Sequence, residues 1–284
     1  SDILKSLTKE QRELFLSELD DDERDALLYN WDVWARPKQL EYRNDCFITL
    51  ARCGRGFGKT RMSSEAVTEW ERIGYRHFYI NPGSVRDINI LGESGLLACA
   101  PPWNKPTYLA SKACVVWPSG AKALLLSGSA YEQARGKQCE KAVLDELFAY
   151  QYPEDLYDMV AMGCRLGDNP QILITSTPKT TEFMRKLMKD PRCHIISGST
   201  FENQANLATT FIQTMEEKYG DTRLGRQELY GELLNDNPNA AFNREYIDKY
   251  RVNEVEEELK YIVVDDLNNL KLESPYSIYL EKWI

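Results

Sequence analysis

The chain has only two histidines, His77 and His194, in 284 residues. That is too few for most histidine-based metal sites and argues against a Ser-His-Asp triad. Paired cysteines are missing as well. The seven present, Cys46, Cys53, Cys99, Cys114, Cys139, Cys164 and Cys193, are odd in number and widely spaced, with no C-x-x-C. This excludes a disulfide framework or a zinc ribbon and reads as reduced thiols. No apolar run approaches the roughly 18 to 20 residues of a membrane span, so no membrane association is expected. The opening SDILKSLTKEQ carries charge but no apolar core and does not read as a signal peptide. There is no internal repeat and no low-complexity stretch. Net positive charge is also lacking: 35 Lys and Arg against 44 Asp and Glu give −9. That argues against a histone-like binder but leaves room for DNA contact through a local basic patch.

What is present is ordinary globular composition, with 43% hydrophobic and 28% charged residues. The length suits one large domain or two small ones with a substantial core. Charge is unevenly placed: residues 1–32 carry −6, residues 251–284 carry −4, and the middle is nearly neutral. Residues 8–30 read as two short acidic helices, opened by a capping-box pattern at Thr8 and Gln11 and carrying Leu14, Phe15 and Leu19 at helical spacing. The expectation is an amphipathic hairpin packed on the main body, with a docking surface as the alternative. Residues 46–200 alternate short apolar runs with helical patterns. Strands are expected at 46–51, 77–80, 141–145, 171–175 and 194–197, with a hairpin at 113–127 turning on Pro118-Ser119-Gly120. This predicts a largely parallel, helix-flanked α/β sheet. Four segments follow: an acidic helical segment (1–32), a core (33–206), a small helical lobe (207–234), and a linker with a short tail (235–284) holding one apolar strand, 261–264.

The strongest signal is Cys53-Gly54-Arg55-Gly56-Phe57-Gly58-Lys59-Thr60, set between a strand and a helix as a Walker A loop must be. Glycines let backbone N–H groups converge on phosphate oxygens at a helix N-terminus. Lys59 is expected on the β- and γ-phosphates, and the Thr60 hydroxyl on Mg²⁺. The first glycine of the strict pattern is replaced by Cys53, which a small residue can fill if its backbone is not left-handed. Downstream, Ala142-Val143-Leu144-Asp145-Glu146 reads as a Walker B strand whose carboxylates emerge at the C-terminal end, where α/β sheets bind ligands. Asp145 is the expected Mg²⁺ carboxylate and Glu146 the base for an attacking water. Thr175-Ser176-Thr177-Pro178 closes a third strand with hydroxyls suited to sensing a phosphate or polynucleotide.

Together these pieces resemble the ATPase domain of the large terminase subunit, the DNA-packaging motor of tailed bacteriophages. The resemblance spans about 26–242 and rests on LLYNWDVWARPKQL, CGRGFGKTR, ILGESGLL, SAYEQARGKQCEKAVLDE, ILITSTPK and RQELYGELL. It implies an ASCE-type P-loop NTPase with a helical lid at 207–234. It implies that Gln39 reads adenine, with Trp34 and Arg36 near the base. Arg55 would touch the γ-phosphate from within the loop, and Arg135, in Ala134-Arg135-Gly136, would be an arginine finger for a neighbouring subunit. Thr175, Ser176 and Thr177 would couple hydrolysis to DNA movement. The implied cofactors are ATP and Mg²⁺. The implied partners are double-stranded DNA, gripped by its phosphates, the portal protein, the small terminase subunit, and further copies in a homo-oligomeric ring, a pentamer on the capsid. Lys105, Lys112, Lys122, Lys137 and Lys179 are candidates for the DNA-lined pore. The implied setting is the host bacterial cytoplasm, docked transiently on the procapsid. Large terminases add a C-terminal nuclease; here about 40 residues follow the linker and only Asp265 and Asp266 echo its first metal-binding strand, so no nuclease activity is expected. The alternative is another P-loop NTPase, a helicase-like translocase or a small-molecule kinase.

Overall fold

The computed structural model describes residues 8–82, 91–127, 132–220 and 222–234. The chain divides into a unit of residues 1–234 and a second unit, 235–284, that lies outside the described residues, as does the expected strand at 261–264. The first unit is built on an eight-stranded sheet in the order β3-β4-β5-β2-β6-β7-β1-β8. Its strands are β1 (Ile48–Cys53), β2 (His77–Asn81), β3 (Thr107–Leu109), β4 (Cys114–Val116), β5 (Lys122–Leu125), β6 (Lys141–Leu144), β7 (Gln171–Ser176) and β8 (Cys193–Gly198). All neighbours pair in parallel except β3–β4 and β4–β5. The expected parallel sheet and the 113–127 hairpin are therefore both present. The edge strand β3 was not legible in the sequence, because three half-exposed residues carry no periodicity.

The central strands are buried on both faces, β6 and β7 along their whole length, as a sheet covered on both sides requires. One face is covered by the helix Lys59–Arg72, whose Met62, Ala66, Val67 and Trp70 recur at helical spacing and enter a core with Trp31, Phe78, Val115 and Trp117. The opposite face is covered by helices Pro153–Gly163 and Glu182–Lys189, which bury Leu156, Val160, Phe183, Met184 and Leu187 against Leu50, Leu144 and Ile174. Each such side chain contributes about 1.5–3 kcal/mol by leaving water. Among the described residues the α-helices are, in chain order, α1 (Lys9–Glu18), α2 (Asp21–Leu28), α3 (Trp31–Trp34), α4 (Lys59–Arg72), α5 (Leu96–Cys99), α6 (Pro153–Gly163), α7 (Glu182–Lys189), α8 (Thr209–Tyr219) and α9 (Arg223–Glu228).

The capping box at Thr8 and Gln11 forms as the sequence indicates, and a second, Asp20 with Glu23, opens α2. The packing expected of this hairpin forms only in part: Leu16, Leu19 and Leu27 are half-buried and Tyr29 meets Trp103 edge-on. Leu14, Phe15 and Leu28 are exposed and α2 has no buried residue. Each helix has only two or three large apolar side chains among many polar and charged ones, too narrow a stripe to seat deeply on the body.

Candidate nucleotide site

Parallel register brings the C-terminal ends of β1, β2, β6 and β7 to one edge of the sheet, with Arg52 beside Ser176 and Asn81 beside Leu144. β7, which ends in Thr175 and Ser176, lies between β1 and β6. The Gly-rich loop leaves β1 at this edge and enters α4. Cys53 is the last residue of the strand and has no positive φ, so it fills the pattern's first position without strain. Its thiol is pushed up to about 12 by burial.

Two glycines in the loop are required by conformation. Gly56 and Gly58 have φ of 77° and 92°, and a Cβ on Gly58 would lie 2.8 Å from the Gln39 amide nitrogen. The N–H groups of Gly58, Lys59 and Thr60 find no acceptor among the described residues, which leaves them open at the helix N-terminus for an anion. The rest of the loop is held by its own chain. Gly54 and Arg55 N–H donate to the carbonyls of Gly198 (2.9 Å) and Glu228 (2.6 Å). The Thr200 hydroxyl and Asn203 amide donate to the carbonyls of Arg55 (2.5 Å) and Gly56 (2.7 Å). Phe57 is fully buried beneath the Arg36 guanidinium, 4.4 Å from its ring centroid, and against Gly198, where no Cβ would fit. It anchors the loop through its ring.

The carboxylates meet the loop directly. Lys59 Nζ donates to the carbonyls of Cys53 (3.1 Å) and Gly54 (3.2 Å) and lies 3.3 Å from Glu146 Oε1. Glu146 Oε2 accepts from Thr177 N–H at 3.1 Å. The Thr175 hydroxyl donates to Asp145 Oδ1 and accepts from Glu146 N–H at 3.1 Å. Glu146 itself is left-handed, with φ 48° and ψ 43°, a conformation that costs a non-glycine residue about 1–2 kcal/mol. Strain of this kind concentrates at functional sites. Thr60 and Asp145 line one cleft with Ser63 and Ser64, between α4 and the sheet.

Gln39 is buried beside the loop, as an adenine reader would be, but its amide is occupied. Nε2 donates to the Gly58 carbonyl at 3.2 Å, and Oε1 accepts from Arg36 N–H and Nε at 3.2 and 3.3 Å. Arg36 also donates to the Phe57 carbonyl, so in this structure both residues brace the loop. Trp34 is half-exposed and donates to the Leu27 carbonyl. Arg55 is exposed at the loop tip. Arg135 is not gathered into the site. It follows β5, pairs loosely with Glu132 at 3.6 Å, and lines a cleft with the C-terminal end of α6, beside the point where the chain enters β6. Of the five lysines considered for DNA, Lys179 is engaged by the Phe148 carbonyl at 2.9 Å, and Lys105, Lys112, Lys122 and Lys137 are exposed.

This geometry has counterparts among known proteins. The family model for the terminase large subunit, T4-like virus type, N-terminal part, matches residues 51–249. The chain belongs to this family. Its fold is also that of solved large terminases. The large terminase ATPase domain of Thermus phage P74-26 matches with a TM-score of 0.53 over 76% of this chain and 98% of that domain, at 17% identity. The large terminase of a second thermophilic bacteriophage, solved in complex with ADP, matches with a TM-score of 0.55 at 14% identity, covering 75% of this chain and 53% of that one. The HK97 bacteriophage large terminase gives 0.52 at 15% identity, covering 76% and 50%. At such identities the likeness carries the P-loop fold alone. This terminase chain spans nearly all of the P74-26 domain but about half of the ADP-bound terminase and of the HK97 chain. No curated protein sequence matches it.

Sequence reasoning missed several residues of the candidate site. Asn81 ends β2 fully buried, with Nδ2 on the Leu126 carbonyl at 2.9 Å and Oδ1 without a partner among the described residues, while its carbonyl accepts from Asp145 N–H. Ser63 Oγ is buried in the cleft with Thr60 and Asp145 and has no partner among the described residues. Thr200, Asn203 and Gly198 hold the loop from far along the chain. The one available signal was a polar residue closing an apolar strand, in His77-Phe78-Tyr79-Ile80-Asn81.

Proposed function

We propose that this terminase chain hydrolyses ATP and uses it to drive double-stranded DNA into a preformed capsid. The observation that carries the reading is Glu146: strained, and held between the Walker lysine and the end of β7, with Asp145 and Thr175 beside it. The triphosphate would take the open N–H groups of Gly58, Lys59 and Thr60 and draw on the Lys59 ammonium. Thr60 and Asp145 fit Mg²⁺ because their cleft offers it oxygen donors, including Ser63 Oγ, which has no partner among the described residues, as a hard cation demands. When bound, Mg²⁺ supplies charge neutralisation for the β- and γ-phosphates. Glu146 would take a proton from water as its oxygen attacks the γ-phosphorus and the bond to the ADP oxygen breaks. Thr175 and Thr177 contact both carboxylates, which supports their role in relaying the state of the site along β7. Residues 33–206 would be the ATPase core and 207–234 the lid.

Arg135 is exposed, and its contacts are with Glu132 and the end of α6 and not with its own loop, which supports completion of a neighbour's site and hence a ring, a pentamer on the portal, fed by the small terminase subunit in the host cytoplasm. A motor that accepts any sequence grips phosphates and leaves bases unread. The test is steady-state ATP hydrolysis by the wild type and Glu146→Gln, with and without portal-bearing procapsids and DNA. Hydrolysis that is lost in Glu146→Gln, with ATP binding kept, and that rises in the complex supports the motor. Undiminished hydrolysis in Glu146→Gln removes the assignment. Hydrolysis indifferent to portal and DNA favours another kind of P-loop NTPase.

A further inference from the structure

Helices α1 and α2 are an acidic segment with only a shallow seat on its own chain: Leu16, Leu19 and Leu27 are half-buried, and the segment is held near its end by Trp34 on the Leu27 carbonyl and by Tyr29 edge-on to Trp103. Between Glu13 and Asp25 the chain has seven carboxylates and one arginine. Leu14 and Leu28 are 62% and 52% exposed, Phe15 is exposed, and no residue of α2 is buried. Helices of ten and eight residues are too short to be stable alone, since isolated helices below about 12–15 residues are marginal. Such a hairpin needs a surface to cover.

The same chain carries the complementary surface. A cleft is lined by Arg135, Lys137 and Arg165 above Met159, Met162 and Gly163. All three cations are exposed, and among the described residues only Arg135 ion-pairs, weakly, with Glu132 at 3.6 Å. Met162 is 63% exposed. Glu154, the acid of α6 with a cationic partner, is drawn to Lys186 at 2.8 Å. The hairpin cannot reach this cleft within one chain. It is tied through Trp34 and Trp31 to the α4 face of the sheet, while Ala134 and Met159 pack with the core of the α6 face.

We infer that the acidic hairpin of one copy docks in the Arg135–Lys137–Arg165 cleft of the next, carboxylates on the cations and Leu14 and Phe15 on the two methionines. Complementary patches on opposite faces make a heterologous contact, which propagates head to tail and closes into a ring when the rotation allows. The hairpin runs directly into Arg36 and Gln39, which touch the Gly-rich loop. The contact needs no hydrolysis, so its failure and that of the ATPase reading are separable.

The test is sedimentation of the full chain with two charge reversals, Lys137→Glu/Arg165→Glu and Asp21→Lys/Asp22→Lys. The wild type should self-associate at low salt, and high salt or either reversal should weaken association about tenfold. Mixing the two reversed chains should restore it, because each cleft then meets a hairpin of opposite sign. Both variants alter exposed residues only, and circular dichroism checks their folding. A photo-crosslinker in place of Leu14 should trap residues 159–165 of another copy. A wild type that stays monomeric at about 100 μM, a mixture of folded variants that does not associate, or crosslinks elsewhere on the copy or to another protein would each overturn the inference.

Discussion

Replacing Glu146 by glycine and by alanine separates backbone strain from side-chain chemistry. Both variants lose the same contacts, the pairing with Lys59 and the hydrogen bond from Thr177 N–H, so those losses cancel in the comparison. What remains is the left-handed backbone at φ 48°. Alanine keeps its cost of about 1–2 kcal/mol, whereas glycine is nearly free of it. Glycine returns about 0.5–1 kcal/mol through the greater freedom of the unfolded chain. Glu146→Gly should therefore be the more stable of the two by about 1 kcal/mol, read as a urea midpoint or as a melting temperature about 2–4 °C higher. At Ala123, inside β5 and fully buried, glycine should instead destabilise by about 1 kcal/mol. Neither Glu146 variant should hydrolyse ATP. If Glu146→Ala proves as stable as Glu146→Gly, the strain is not real, and this turn is not held against its preference for the sake of the carboxylate.

Thr175→Val keeps the shape of a buried side chain but removes the hydroxyl shared by Asp145 and Glu146. It should leave ATP binding within a few-fold while single-turnover hydrolysis falls by about 10²-fold. Gly54→Ala would set a Cβ 2.5 Å from the Leu229 carbonyl oxygen and 3.0 Å from the Glu228 oxygen and Thr200 N; it should cost about 2 kcal/mol and lower the melting temperature by about 4–8 °C. Burial pushes the thiols of Cys53 and Cys99 up to about 12, while Cys46 is half-buried. A raised pKa keeps a thiol protonated and the thiolate is the nucleophile, so maleimide followed by mass spectrometry should find Cys46 modified well before Cys53 or Cys99 near pH 8.

Lys59, Thr60, Asp145 and Glu146 were legible because each is a residue type that phosphate and metal chemistry demands at a fixed offset from a strand end. The strands themselves were legible because central parallel strands are continuous apolar runs. The acidic hairpin was half legible: its caps are local hydrogen bonds written in four residues, but whether it packs depends on a surface elsewhere. Thr200 and Asn203 were not legible at all. They contact Arg55 and Gly56 across 145 and 147 residues of sequence, and nothing local marks a threonine or asparagine for that role. Gln39 lies between these cases. Its resemblance to an adenine reader places it correctly beside the loop, while its hydrogen bonds to Gly58 and Arg36 follow only from the fold.

The ammonium of Lys59 states the energetic problem of the site most directly. It has three protons to donate, and they face three oxygens, the carbonyls of Cys53 and Gly54 and Glu146 Oε1. A phosphate oxygen therefore cannot be added to this set; it must replace a member. The carbonyls belong to the backbone where β1 turns into the loop, and Gly54 is fixed there by its N–H bond to Gly198. Glu146 is the partner attached by a side chain, and it is part-exposed, so its pairing is the weakest of the three. An incoming phosphate thus displaces the glutamate first. Released from Lys59, Glu146 keeps its bond to Thr177 N–H, so the carboxylate that must meet water stays tethered to the end of β7 at the moment phosphate arrives.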